Sequence, residues 1–212
     1  QAFETYVMEN ILFKISFPAE FHAQTAVEAA VKLHEDVKDK IDDIKSVEIT
    51  THESAIRIIS KVGELNNPAD RDHCLQYMVA IGLIKGNLVA EDYEDDVAQD
   101  PRIDALREKM IINEDKRYSK EYLEADKRSI ANRIQIHFND GTSTEEIEVE
   151  YPIGHKRRRG EGIPVLEKKF MDNLAITFDE DTTNKIFNLC MNQKELEKTS
   201  VTDFQSLFSK IP

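Results

Sequence analysis

The chain has 212 residues, with 41 acidic and 28 basic side chains that give a formal charge of −13 and a pI near 5.0. This length suits one large domain or one domain plus part of a second, and the acidic excess argues against general nucleic-acid or anionic-membrane binding. Mean hydropathy is −0.51, and the longest wholly apolar run, residues 78–84, falls far short of the ~20 residues a membrane helix needs.

Gln1 is not an initiating methionine and no basic-then-apolar leader follows it, so we expect a piece of a longer protein without a signal peptide. Cys74 and Cys190 are the only cysteines. They exclude a disulfide framework and a cysteine-held iron–sulfur cluster, and they fit a reducing, cytoplasmic setting.

Residues 11–17 alternate, with Ile11, Phe13, Ile15 and Phe17 on one side and Leu12, Lys14 and Ser16 on the other. That period of two predicts a strand, which Pro18 ends. From Ala23 the apolar spacing turns helical, through Ala26, Val27, Ala30 and Val31. Residues 46–51 predict a second strand with Val47 and Ile49 inward. Asn67 then reads as a helix cap, with Pro68 at the first helical position and Asp70 near the positive dipole end. The helix it opens is expected to reach about Lys85 and to be the most apolar element.

Residues 92–109 read as a charged helix interrupted at Asp100-Pro101, because the residue before proline avoids helical geometry. Residues 133–138 and 144–151 alternate about Asn139-Asp140-Gly141, the pattern of an antiparallel hairpin with one wet face. Residues 152–164 form a Gly- and Arg-rich loop. Helical stripes follow at Leu166, Phe170 and Leu174, at Ile186, Leu189 and Cys190, and at Val201, Phe204 and Phe208. The expected class is α+β: an antiparallel sheet with helices over residues 1–162, then helices over 163–212, and not a doubly wound sheet.

Several chemistries lack their residues. No histidine pair has metal-ligand spacing, and His73-Cys74 lie roughly 100° apart on a helix, so no protein-held metal is expected. The glycines form no phosphate-cradling motif, and no nucleophile elbow is present. Three places carry chemistry instead. Lys14 sits in an apolar strand pattern with Glu20 and His22 close behind. It reads either as a lysine reaching past the sheet to solvent or as a partly desolvated amine that anchors a carboxylate or donates a proton. Tyr77 lies on an apolar helix face, so its hydroxyl needs a partner, whether a structural acceptor or a substrate. In the loop 154–160, Lys156, Arg157, Arg158 and Arg159 reverse the local field beside His155. A solvated basic turn balanced by nearby glutamates competes there with bidentate capture of small carboxylates or phosphates.

Four blocks carry a resemblance: Phe13-Lys-Ile-Ser-Phe-Pro-Ala-Glu-Phe-His22, Asn67-Pro-Ala-Asp-Arg-Asp-His-Cys-Leu-Gln-Tyr-Met-Val-Ala80, Ala90-Glu-Asp-Tyr-Glu-Asp-Asp-Val-Ala-Gln-Asp100 and Tyr151-Pro-Ile-Gly-His-Lys-Arg-Arg-Arg159. Together they resemble the MmgE/PrpD family over nearly the whole chain, and the last block is similar to its methylcitrate-dehydrating branch more than to cis-aconitate-decarboxylating or iminodisuccinate-epimerising relatives. Only the carboxy-terminal part of the family is resembled. The resemblance implies that residues 1–162 form a lid and residues 163–212 complete an all-helical domain whose amino-terminal half lies outside this chain.

The implied reaction removes water from 2-methylcitrate to give 2-methyl-cis-aconitate in propionate catabolism, with no cofactor, so side chains must supply every cation and proton donor. Lys14 and Tyr77 occupy positions similar to the family's lid lysine and lid tyrosine, and His22 lies in the same block as Lys14. Arg157, Arg158, Arg159 and His155 are expected to bind the tricarboxylate, with contact to the other domain as the alternative role of the arginines. The resemblance further implies a homodimer and a fragment that is inactive by itself. Two other readings stand beside it: a non-catalytic tricarboxylate-binding or interaction domain, and another activity of the family such as cis-aconitate decarboxylation.

Overall fold

A computed structural model of the chain describes residues 11–209. The chain divides into two compact units that meet between Arg159 and Gly160.

The first unit is built on a mixed four-stranded sheet. Strand β1 (Ile44–Thr51) has the β-branched, alternating sequence that suits a half-buried pleat, and Ile44, Val47, Ile49 and Thr51 all point inward. Strands β2 (Met110–Glu114), β3 (Asn132–Phe138) and β4 (Ile147–Val149) complete the order β2-β1-β3-β4. The expected hairpin is present, with Ile134 opposite Ile147 and Gly141 at φ +87° in its turn. β1 pairs antiparallel with β3 but parallel with β2. The class is α+β as expected, and the sheet carries one parallel pair besides its antiparallel ones.

One helix covers the inner face, and a second packs on that helix. Helix α1 (Gln24–Val37) follows the predicted stripe, burying Ala26, Val27, Ala30 and Leu33. Between β1 and the next long helix come α2 (Glu53–Ile59) and the single turn α3 (Pro68–Arg71), capped as predicted by the Asn67 side chain, which accepts from the Asp70 N–H at 2.9 Å. Helix α4 (Leu75–Lys85) buries nine of its eleven residues. Its Gly82 lies so close to α1 that a Cβ there would meet the Ala30 Cβ at 2.9 Å, so the small residues set the helix separation. Burial of Leu33, Met78, Ile81 and Leu83 contributes about 1.5–3 kcal/mol each.

Three sequence expectations change here. Residues 11–17 join no sheet; the segment is extended, and Ile15 and Phe17 alone are buried. The helix expected from Asn67 to Lys85 breaks at Cys74 (φ −121°, ψ 106°), so His73 and Cys74 do not share a helix face with Tyr77. The break accompanies a buried Arg71, whose guanidinium donates to the Tyr93 carbonyl at 2.6 Å and pairs with Asp95 at 2.7 Å. The charged stretch after Asp92 becomes α5 (Asp95–Ala98) and α6 (Pro101–Glu108), and it gives way at Met110 to the unpredicted β2. Helix α7 (Lys116–Leu123) then leads towards β3.

The second unit is helical throughout its described residues, most of α8 (Arg159–Ala175) being followed by α9 (Glu180–Met191), α10 (Gln193–Lys198) and α11 (Val201–Ser206). α8 begins five residues before Pro164, earlier than the loop reading expects. Asp179, Asn192 and Ser200 cap α9, α10 and α11 by accepting from the N–H three residues on. Phe170 packs on Phe187 at 6.1 Å and Phe208 on Phe204 at 5.2 Å. Leu174 and Ile186 are buried, whereas Val201 from the third expected stripe is exposed.

Candidate active site

The segment carrying Lys14 is held by backbone and side-chain contacts in place of a strand partner. The Phe13 N–H donates to the Gly154 carbonyl at 3.2 Å, and the Arg159 guanidinium covers the Phe13 ring at 4.1 Å while donating to the Ile11 carbonyl at 2.8 Å. A Cβ on Gly154 would sit 1.7 Å from the Phe13 oxygen, so this approach admits glycine alone. Further along, the Gln24 amide donates to the Phe17 and Ala19 carbonyls, each at 2.8 Å. Lys14 is exposed, with its ammonium 5.4 Å from the centre of the Phe21 ring.

The next residues build a polar cluster. His22 Nδ1 lies 2.8 and 2.9 Å from the two Glu20 carboxylate oxygens, and Glu20 also accepts from the His22 N–H at 2.8 Å. On the other side of the ring, Nε2 lies 3.2 Å from the Tyr122 hydroxyl on α7. His52, fully buried at the turn between β1 and α2, stacks on Tyr122 at 4.8 Å and lies 5.2 Å from the His22 ring. Asn132 at the start of β3 fixes the backbone by donating to the His22 carbonyl at 2.9 Å. Two buried atoms here, His52 Nε2 and Asn132 Oδ1, have no hydrogen-bond partner among the described residues. Burial alone would raise the Glu20 carboxyl, but the hydrogen bonds and charge of His22 outweigh it and hold Glu20 below the usual range. Burial first, and the His22 charge second, push His52 down to about 4, so His52 is neutral at ordinary pH.

The other residues nominated by the sequence go elsewhere. Tyr77 is sealed, 2% exposed; its hydroxyl donates to the Asp92 carbonyl at 2.6 Å, its ring stacks on Tyr93, and burial pushes its pKa up to about 12. Tyr77 is thus committed to the Asp92 carbonyl, whereas Lys14 is exposed. His155 is buried against Tyr151 at 4.5 Å, and its Nδ1 accepts from the Arg157 N–H. Burial, then the charges of Arg157 and Lys156, push it down to about 4, which makes it a neutral cap and not a cation for substrate.

Lys156–Arg158 forms a 3₁₀ turn, and at three residues per turn successive side chains diverge by roughly 120°. The arginines accordingly fan out to different partners. Arg157 lies over Tyr151 and donates to the Asp126 carbonyl, Arg158 forks onto Glu28 at 2.8 and 3.1 Å, and Arg159 holds Phe13. Burial would raise the Glu28 carboxyl, but Arg158 and Lys32 hold it below its usual range.

A surface cavity of about 370 Å³ is lined by Lys61, Gln76, Asp104 and Arg107 among others. Its walls mix both signs of charge and include none of the nominated residues, so chemistry favours the His22 cluster over the larger space. No group of three or more metal-ligating side chains is assembled among the described residues.

A family profile, that of the MmgE/PrpD C-terminal domain, matches residues 17–193. The chain belongs to the MmgE/PrpD family. Within the family, it is 55% identical over 207 residues to 2-methylcitrate dehydratase of Escherichia coli K12, covering 96% of this chain and 43% of that protein. The mitochondrial 2-methylcitrate dehydratase of Yarrowia lipolytica is 56% identical over 97% of this chain and 40% of its own length. That of Cupriavidus necator is 51% identical over 97% of this chain and 43% of its own length. The chain thus spans about two fifths of the curated relatives it matches. The family match takes in Glu20, His22, His52 and Tyr122, while Lys14 lies just before its first residue. Sequence reasoning missed Glu20, His52 and Tyr122 as site members. Glu20 was legible as an acid two residues before a histidine, but Tyr122 is 100 residues from His22 and only the fold unites them.

Proposed function

We propose that the chain is the carboxy-terminal part of a 2-methylcitrate dehydratase, a hydro-lyase that converts 2-methylcitrate to 2-methyl-cis-aconitate in propionate catabolism. The observation that carries this reading is 51–56% identity, over nearly all of this chain, to proteins bearing that name. The geometry of residues 14–22 supports it. Proton loss beside a carboxylate builds an enolate-like polyanion, which an exposed ammonium such as Lys14 stabilises, while a departing hydroxide needs a proton from a titratable group such as His22.

In this reading Lys14 is the cation of the site, His22 is its proton reservoir, and Arg157 and Arg159 add positive field at its edge. Arg158, His155 and Tyr77 build the scaffold. The base that takes the carbon-bound proton comes from an amino-terminal helical domain, whose contact surface includes the exposed Ile163, Val165 and Ile176 of the second unit. The assembled enzyme is a cytoplasmic homodimer, and the 212-residue chain by itself is inactive.

The test is an assay of 2-methylcitrate consumption by the full-length gene product and by the 212-residue chain. We expect turnover by the first only. Turnover by the shorter chain refutes its inactivity. A full-length product that ignores 2-methylcitrate but decarboxylates cis-aconitate, or binds tricarboxylates in calorimetry without converting them, overturns the dehydratase assignment.

A further inference from the structure

We infer that Tyr122 is a catalytic residue of this site, the phenol that hands a proton to the departing hydroxyl, with Glu20 and His22 recharging it through one continuous hydrogen-bonded chain. The inference rests on the dehydratase reading above.

The chain of contacts has a direction. Glu20 is an ionised acceptor held in place by the His22 N–H, so it draws the Nδ1 proton of His22 to itself. The opposite nitrogen, Nε2, is thereby aimed at the Tyr122 oxygen. A carboxylate that orients an imidazole, which in turn serves a hydroxyl, is the general arrangement by which a weak acid is made useful in catalysis. His52 supports it from the side. Its ring is stacked on Tyr122 and adds no competing charge, because burial keeps it neutral.

Tyr122 differs from the other phenols nearby. Tyr77, Tyr93 and Tyr118 are buried, whereas Tyr122 is half-exposed. The Tyr122 hydroxyl lies against a titratable ring, whereas the Tyr77 hydroxyl donates to a backbone carbonyl. The buried, unpartnered His52 Nε2 and Asn132 Oδ1 mark the same place as one left with polar capacity.

The step balances. With His22 in its imidazolium form, the Tyr122 O–H proton passes to the oxygen leaving carbon as the C–O bond breaks, giving water. The His22 Nε2 proton passes at once to the phenol oxygen, so tyrosine stays neutral and the imidazolium becomes imidazole beside Glu20. A solvent proton later restores His22. The base that takes the carbon-bound proton is not part of this chain.

The experiment compares two substrates in the full-length gene product: 2-methylcitrate, and its analogue with fluorine in place of the hydroxyl. Fluoride departs without a proton, so it bypasses the relay while using the rest of the site. Tyr122→Phe should lower kcat on 2-methylcitrate by ~10²-fold with KM little changed, and should leave kcat on the fluoro analogue within about threefold of wild type. Glu20→Gln should show the same split more weakly. Nitrogen-15 NMR of the 212-residue chain should find neutral His22 protonated on Nδ1, and that preference should disappear in Glu20→Gln. Equal losses on both substrates, an unchanged kcat on 2-methylcitrate, or a neutral His22 protonated on Nε2 overturns the relay. A wild-type gene product inert towards both substrates overturns the dehydratase reading instead, a separate outcome.

Discussion

Two phenols in the first unit, Tyr77 on α4 and Tyr122 on α7, can be compared almost atom for atom. Each has an aromatic neighbour stacked on it, Tyr93 for one and His52 for the other. Each hydroxyl has a partner within hydrogen-bond reach. The partners differ in kind: Asp92 offers a backbone carbonyl, which can accept and never donate, whereas His22 offers a ring nitrogen whose proton can come and go. Burial separates the two phenols as well, since Tyr77 is sealed and Tyr122 is half-exposed.

The largest effect that would sharpen the contrast is on the Tyr122 side of the molecule, at Lys14. In the full-length gene product, Lys14→Ala should lower kcat for 2-methylcitrate by ~10²–10³-fold, since under the proposed function it deletes the cation that stabilises a developing polyanion, and steady-state kinetics reads this directly. Gly154→Ala tests the same residue at one remove. Its methyl cannot share space with the Phe13 carbonyl, so the 11–17 segment must move, at a stability cost of about 3 kcal/mol and with ~10²-fold lower kcat from displacement of Lys14. Denaturant melts and kinetics of this variant break the comparison if both stay at wild-type values, because Lys14 would then owe nothing to the loop that pins its segment.

Acid should reach the two neighbourhoods unequally. His52 is held near 4 in the folded chain against an ordinary 6.5, so the unfolded chain binds the extra proton between those values. Stability is then complete above pH 6.5 and is lost as pH falls towards 4, by about 3 kcal/mol for a shift of this size. The neutral cap His155 acts in the same direction. His22 and Glu20 are the titratable groups that act on His52 from the neighbouring segment. Tyr77 contributes no such slope, because it titrates only near 12. Urea unfolding at pH 7 and pH 4.5 should show the loss, and His52→Gln should flatten it; an unchanged slope in that variant would mean that His52 is not the group being protonated.

How much of this was legible in the sequence follows from how local each signal is. The hairpin around Gly141, the stripe of α1 and the Asn67 cap were readable because each is settled within a few residues. β2 was not: it is five residues long, alternates between exposed and half-buried positions, and is a strand only because β1 lies beside it. The strand pattern of residues 11–17 misled for the converse reason, since alternation reports two unlike faces and cannot say whether a ladder partner exists. The arginine run showed its charge but not its directions, which a 3₁₀ turn scattered towards Asp126, Glu28 and Phe13. Lys14 and His22 were nominated from one short segment, whereas Tyr122 and His52 reach His22 through tertiary packing and leave no mark at sequence range.

The smallest expected effect is the one that decides between the two phenols. Tyr77→Phe removes a hydroxyl and leaves the ring, so the stacking on Tyr93 survives and the Asp92 carbonyl loses one donor. That predicts a stability loss of about 1 kcal/mol by denaturant melts, the usual value of one such bond, with kcat falling less than about tenfold. A structural phenol couples to the chemistry only through the small strain its absence leaves behind. A phenol that protonates or holds the substrate would reverse the pattern, giving a ~10²-fold fall in kcat with little change in stability. The reversed pattern would mean that the Asp92 bond opens during turnover and that Tyr77, not Tyr122, faces the tricarboxylate, because the two hydroxyls belong to separate clusters and the same departing oxygen needs only one proton.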